Sequence, residues 1–167
     1  MTKNVMVRRK ILRTTEPRNE GMRLRKRLNY SAEANWNHES GGTAKVDGFT
    51  IDFDTPHEHG GNETAPCPDQ LFMTSLAGCI MNTFNYYRVM LDAETLDIKV
   101  NVSSDIELTK TDGYRVTGIN IALQVWTDEE NHILNTKCAQ RAIDYCHLTK
   151  SIEKAIPIKT SIEVHLE

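Results

Sequence analysis

The chain has no uninterrupted apolar stretch long enough to cross a bilayer. Its richest one, residues 71–91, is broken by Thr74, Ser75, Asn82, Asn85 and Arg88, which marks a buried helix rather than a membrane span. The opening residues Met1-Thr2-Lys3-Asn4-Val5 build no apolar segment of the kind that directs secretion, so a cytoplasmic address is expected. Internal repeats and low-complexity tracts are also lacking. Net charge is only −3, which excludes a general electrostatic pull toward nucleic acid or anionic membranes. The four cysteines show none of the close paired spacing of structural zinc sites, and in a reducing compartment they are expected to stay as thiols.

At 167 residues the chain is long enough for one domain with a sizeable core. Charge is uneven along it: Arg8, Arg9, Lys10, Arg13, Arg18, Arg23, Arg25, Lys26 and Arg27 face only Glu16 and Glu20 in the same segment. That segment has no interleaved aromatic residue for base stacking, so a solvated or edge-strand role is preferred to a phosphate-binding arm.

Alternation of apolar and polar residues predicts strands over 97–110 and 114–126, joined at Thr111-Asp112-Gly113, an Asp-Gly turn suited to a β-hairpin. A second hairpin is predicted from 43–46 and 49–53 about Asp47-Gly48, with shorter strands at 5–12 and 28–36. The C-terminus alternates again, with Ile158, Thr160, Ile162, Val164 and Leu166 on one face of a final strand. Trp36 and Trp126, both at strand positions, are expected in the core or at an interface.

Two helical segments separate the strand groups. Pro68, with Asp69 beside it, suits the first turn of a helix over 68–92. Apolar residues cover most of that helix's circumference, so it must be surrounded on nearly all sides, which points to a partner subunit. A second helix is predicted from Asp128 as N-cap, through Ile133, Leu134, Ala139, Ala142 and Ile143. The spacing breaks near His147, and a short helix over 149–155 follows, placing Cys146 at the joint.

Chemistry is carried by cysteine. A thiol becomes useful as a thiolate, held partly exposed near positive charge, and a second thiol within reach captures the first once it is oxidised. Cys79, in Leu76-Ala77-Gly78-Cys79-Ile80, and Cys146, in Asp144-Tyr145-Cys146-His147, are the candidates. Taken singly, a free cysteine is more often a small core hydrophobe, which suits Cys138, while Cys67 lies in a loop. His57 and His59, with Glu58, Glu63 and Cys67 nearby, have ligand chemistry, and on extended chain both rings share a face; a solvated loop is the preferred reading and no metal is assigned. Cys146 and His147 would point about 100° apart on a continuous helix, which argues against a thiolate–imidazole dyad unless the helix breaks there.

The run from Gly61 through Pro66-Cys67-Pro68-Asp69-Gln70-Leu71-Phe72 to Ser75-Leu76-Ala77-Gly78-Cys79 resembles the signature of the OsmC/Ohr family: a Gly-rich loop, a proline, an acid, an apolar helix, and a cysteine eleven residues after the proline. Cys146, followed by a short helix, Pro157 and a last strand, is similar to the family's second cysteine. The resemblance covers residues 30–167 and leaves residues 1–29 as a basic N-terminal extension. It implies an α+β fold of antiparallel sheets wrapped around central helices in an intertwined homodimer. It also implies a thiol peroxidase for organic hydroperoxides, with Cys79 attacking, Cys146 resolving, Asp69 as the family's site acid, a dithiol reductant closing the cycle, and no cofactor. The family's activating arginine has no counterpart in Asn37-His38-Glu39-Ser40 or Pro56-His57-Glu58-His59; Arg23, Arg25, Arg27, Arg88, His57 and His59 are the substitutes considered. A dimer that binds a small molecule without peroxidase efficiency is the alternative reading, and a nucleic-acid accessory protein acting through its basic arm is the third.

Overall fold

A computed structural model describes residues 27–167. The strand expected over 5–12 and nearly all of the basic segment lie outside the described residues. Three strands, β1 (Glu33–Trp36), β2 (Gly42–Val46) and β3 (Phe49–Phe53), form an antiparallel sheet in that order. The β2–β3 hairpin closes at Asp47 and Gly48, whose φ values of 45° and 87° are both positive, the left-handed pair that Asp-Gly supplies. β1 is shorter than expected and fully exposed.

After a single 3-10 turn, His57–His59, and an irregular loop, the chain enters helix α1 (Pro68–Met90). Strands β4 (Asp97–Thr109) and β5 (Gly113–Thr127) pair as the expected hairpin, with Gly113 at φ 75°. Helices α2 (His132–Tyr145) and α3 (His147–Ile152) then carry the chain back to β6 (Ile158–Leu166), which pairs with β5 in parallel. The second sheet, β4-β5-β6, is thus mixed rather than purely antiparallel, because a helical crossover returns the chain to the end of β5 where it began.

The core lies between this sheet and the helices. Ile119, Ile121, Leu123 and Val125 of β5 face Leu76, Ile80 and Phe84 of α1 and the small residues Cys138, Ala139 and Ala142 of α2, all of them buried. The small side chains let α2 approach closely. Its start differs from expectation: Asp128 caps a preceding turn, accepting hydrogen bonds from the Asn131 backbone N–H (2.8 Å) and side-chain amide (3.0 Å), and the helix begins at His132. Asn135, fully buried, is satisfied by donating to Thr127 Oγ1 and the Glu94 carbonyl while accepting from Thr95. No helix among the described residues is long and apolar enough to cross a membrane.

The loop leading into α1 is held by Asp54, a buried carboxylate. It accepts from the hydroxyls of Ser40 (2.6 Å) and Thr64 (2.7 Å) and from the backbone N–H groups of Thr64 and Thr55. The Ser40 hydrogen bond, then those from Thr64, hold its pKa far below the ordinary carboxylate range. Unfolding releases Asp54 to about 3.9, so its contribution to stability is full above that pH and is lost as pH falls toward the folded value. Acid unfolding followed by circular dichroism should therefore be steeper below about pH 4 in the wild type than in Asp54→Asn; parallel acid limbs would show that the latch carries no such weight.

Candidate active site

The buried residues of α1 are Leu76, Cys79, Ile80 and Phe84, so Cys79 lies on the core side of the helix, next to Ile80 and about one turn after Leu76. α2 ends at Cys146, whose backbone is extended (φ −63°, ψ 111°) and serves as both the C-cap of α2 and the N-cap of α3. The joint is pinned from the far side: the Cys146 carbonyl accepts from Thr149 Oγ1 (2.9 Å) and from the Lys150 backbone N–H (3.0 Å). The break predicted at this position is therefore present, and the short helix starts at His147 rather than at residue 149.

Cys79 and Cys146, 67 residues apart in sequence, meet with their sulfurs 2.9 Å apart, the Cys146 S–H donating. Both are free thiols; a disulfide would bring the atoms to about 2.05 Å. Because the helix breaks at Cys146, the next side chain also turns to the same point, and His147 Nδ1 lies 3.5 Å from Cys79 Sγ. The three groups sit where α1 meets the α2–α3 joint. A cavity of about 780 Å³ opens onto Cys79 and His147, walled by Tyr30, Tyr86, Tyr87 and Tyr145 with Asn82 at its side, while Cys146 lies buried behind Cys79. Tyr87 is central to the wall, 5.1 Å from the Tyr86 ring and 5.8 Å from that of Tyr145, with the Arg141 guanidinium 5.1 Å over its own ring.

Burial pushes the Cys79 thiol above its ordinary pKa, and the adjacent Cys146 thiol adds to the rise; the Leu148 backbone N–H and the Thr83 hydroxyl work the other way. Ionising Cys79 thus needs a group that takes its proton. Cys138 is fully buried, its thiol also raised by burial, and it packs as expected.

Asp69 is not part of this cavity within one chain. It stands in the first turn of α1, ten residues and about 15 Å of helix before Cys79. It lines a separate cavity of about 800 Å³ with Cys67, His59 and Tyr114. His57 and His59 lie on the 3-10 turn, whose threefold repeat sends residues two apart to different sides, so the shared face expected of extended chain is not formed. No group of three or more metal-ligating side chains occurs among the described residues. Of the substitutes considered for an activating arginine, Arg88 reaches Asn85 through its Nε and does not line the thiol cavity. Arg23 and Arg25 lie outside the described residues. The residue that does reach Cys79 is His147, which the sequence suggested only as a partner of Cys146 and only if the helix breaks there; the break is present, and the imidazole meets Cys79 instead.

The sequence matches the family model described as OsmC-like protein over residues 60–161. No curated protein matches it. Solved structures similar to it include an organic hydroperoxide resistance protein OsmC from Legionella pneumophila, at 19% identity and TM-score 0.63, covering 82% of this chain and 98% of that one. An OsmC-like protein from Mycoplasma pneumoniae is 21% identical with TM-score 0.65, covering 83% and 98%. An organic hydroperoxide resistance protein from Elizabethkingia anophelis is 16% identical with TM-score 0.64, covering 86% and 100%. At these identities the likeness shows a common fold.

Proposed function

The chain belongs to the OsmC-like protein family, and we propose that it is a thiol peroxidase that reduces organic hydroperoxides through Cys79 and Cys146. The observation that carries this reading is the convergence of two free thiols from distant segments, 2.9 Å apart, at a tyrosine-walled cavity. Cys79 attacks the peroxide and becomes a sulfenic acid. Cys146 condenses with it to a disulfide and releases water, and an external dithiol restores both thiols. The organic hydroperoxide resistance proteins among its structural relatives agree with this substrate class.

The proposal includes a homodimer. In one chain the α1 residues Met81, Val89 and Met90 are exposed, as are Trp36, Phe49 and Ile51 of the first sheet, and a second copy would cover such faces. Trp126 is instead half-buried and stacks on His165. A role for Asp69 rests on the same dimer, since only another copy can bring that carboxylate to these thiols. Residues 30–167 are taken as the OsmC-like domain, residues 1–29 as an extension, and the cytoplasm as its compartment.

A small-molecule-binding dimer without efficient peroxidase activity is the second reading, favoured by the raised Cys79 thiol and by a cavity wall that holds no arginine or lysine among the described residues. Consumption of cumene hydroperoxide with a dithiol donor separates the two. The peroxidase reading expects turnover that depends on Cys79; equal and negligible rates in wild type and Cys79→Ser would leave the binding reading.

A further inference from the structure

We propose that His147 is the acid–base catalyst of this site, taking the Cys79 proton and delivering it to the leaving alkoxide. The inference deepens the peroxidase reading and rests on it for the proton's destination. Its ground is geometric: His147 Nδ1 faces Cys79 Sγ at 3.5 Å. The extended backbone of Cys146 allows two consecutive side chains to converge on one sulfur, and Ser151 Oγ donates to the His147 carbonyl at 2.7 Å, steadying the turn.

A second observation singles this residue out. Among the described residues lining the cavity, none is Asp, Glu, Lys or Arg. The other titratable groups at this site are the thiol of Cys79, with Cys146 beside it, and the phenols of Tyr30, Tyr86, Tyr87 and Tyr145 in the cavity wall; behind that wall the Arg141 guanidinium lies 5.1 Å over the ring of Tyr87. An imidazole is therefore the one lining group that can receive a proton near neutral pH and hold it as a cation. Burial disfavours an unassisted Cys79 thiolate, which is the condition under which a neighbouring base matters most.

The step balances as follows. The neutral His147 Nδ1 takes the S–H proton as Cys79 Sγ attacks the terminal oxygen of the hydroperoxide. The S–O bond forms while the O–O bond breaks, sulfur is oxidised by two electrons, and the peroxide is reduced to an alkoxide. His147 returns the proton to that alkoxide, giving Cys79 sulfenic acid and an alcohol.

The test uses the full chain and His147→Gln, which keeps a polar side chain but cannot take a proton in this range. Two rates are followed across pH 5–10: iodoacetamide alkylation of Cys79, read by peptide mass spectrometry, and single-turnover oxidation by cumene hydroperoxide. The wild type should gain reactivity along a pH limb that depends on His147. The variant should lose that limb, fall about 100-fold at pH 7, and converge with wild type at high pH, where the thiol ionises unaided. Superposable profiles overturn the inference. A His147-dependent alkylation limb in a protein inert to hydroperoxide would support the proton transfer and count against the peroxidase reading alone. Should the glutamine variant not fold, proton NMR titration of the His147 ring in wild type and Cys79→Ser carries the test: a displaced midpoint supports the pairing, and identical midpoints overturn it.

Discussion

Cys79→Ser is expected to lower steady-state turnover of an organic hydroperoxide by at least about a thousandfold, as loss of a covalent nucleophile does. The serine hydroxyl is far less acidic than a thiol and cannot accept the peroxide oxygen as a stable sulfenic acid. Cys146→Ser separates the two roles. It leaves Cys79 its proton acceptor, so the first oxidation should proceed and then stall, with sulfenic acid on Cys79 captured by dimedone. Because both sulfurs are buried between α1 and α2 and the replacements are slightly smaller, circular dichroism should show an unchanged fold. Full retention of turnover in Cys79→Ser would remove the proposed nucleophile.

The largest effect on stability is expected at Phe84. It is fully buried in α1, five residues after Cys79, among the β5 and α2 residues of the core. Phe84→Ala removes a ring that neighbouring backbone cannot replace, and such truncations cost about 3–5 kcal/mol, a large share of the about 5–15 kcal/mol that holds a domain of ordinary stability. Urea unfolding with a shared slope for both proteins measures this directly. The void left by this truncation would lie five residues, about 1.4 helical turns, from Cys79, so the variant should also widen the distribution of Cys79 environments and blunt its reactivity. A cost under about 1 kcal/mol would mean that the helix is held mainly from other directions.

Features with a local physical signature were legible in the sequence. Asp47-Gly48 and Asp112-Gly113 announced both hairpins because left-handed backbone is needed there and few residues supply it. Pro68 and Asp69 marked the start of α1. The convergence of Cys79 with Cys146 came from the family resemblance, since no periodicity encodes a contact across 67 positions. Pairing direction was hidden for the same reason: β6 alternates identically whether it runs parallel or antiparallel to β5. His147 was obscured by an assumption about angle. Neighbours on a helix diverge, but the ψ of 111° at Cys146 ends the helix and lets the two side chains share a target. The apolar circumference of α1 predicted burial on nearly all sides, yet Met81, Val89 and Met90 remain exposed in one chain, the residue pattern by which a second copy was anticipated.

Peptide mass spectrometry after one equivalent of an organic hydroperoxide, under conditions that block free thiols at the end, is the most direct test of the Cys79–Cys146 couple. A linked pair of peptides joining these two cysteines, reversed by a dithiol and accompanied by free Cys67 and Cys138, is the expected result. Both thiols recovered unlinked, or Cys79 oxidised onward to sulfinic acid with Cys146 untouched, would contradict the mechanism.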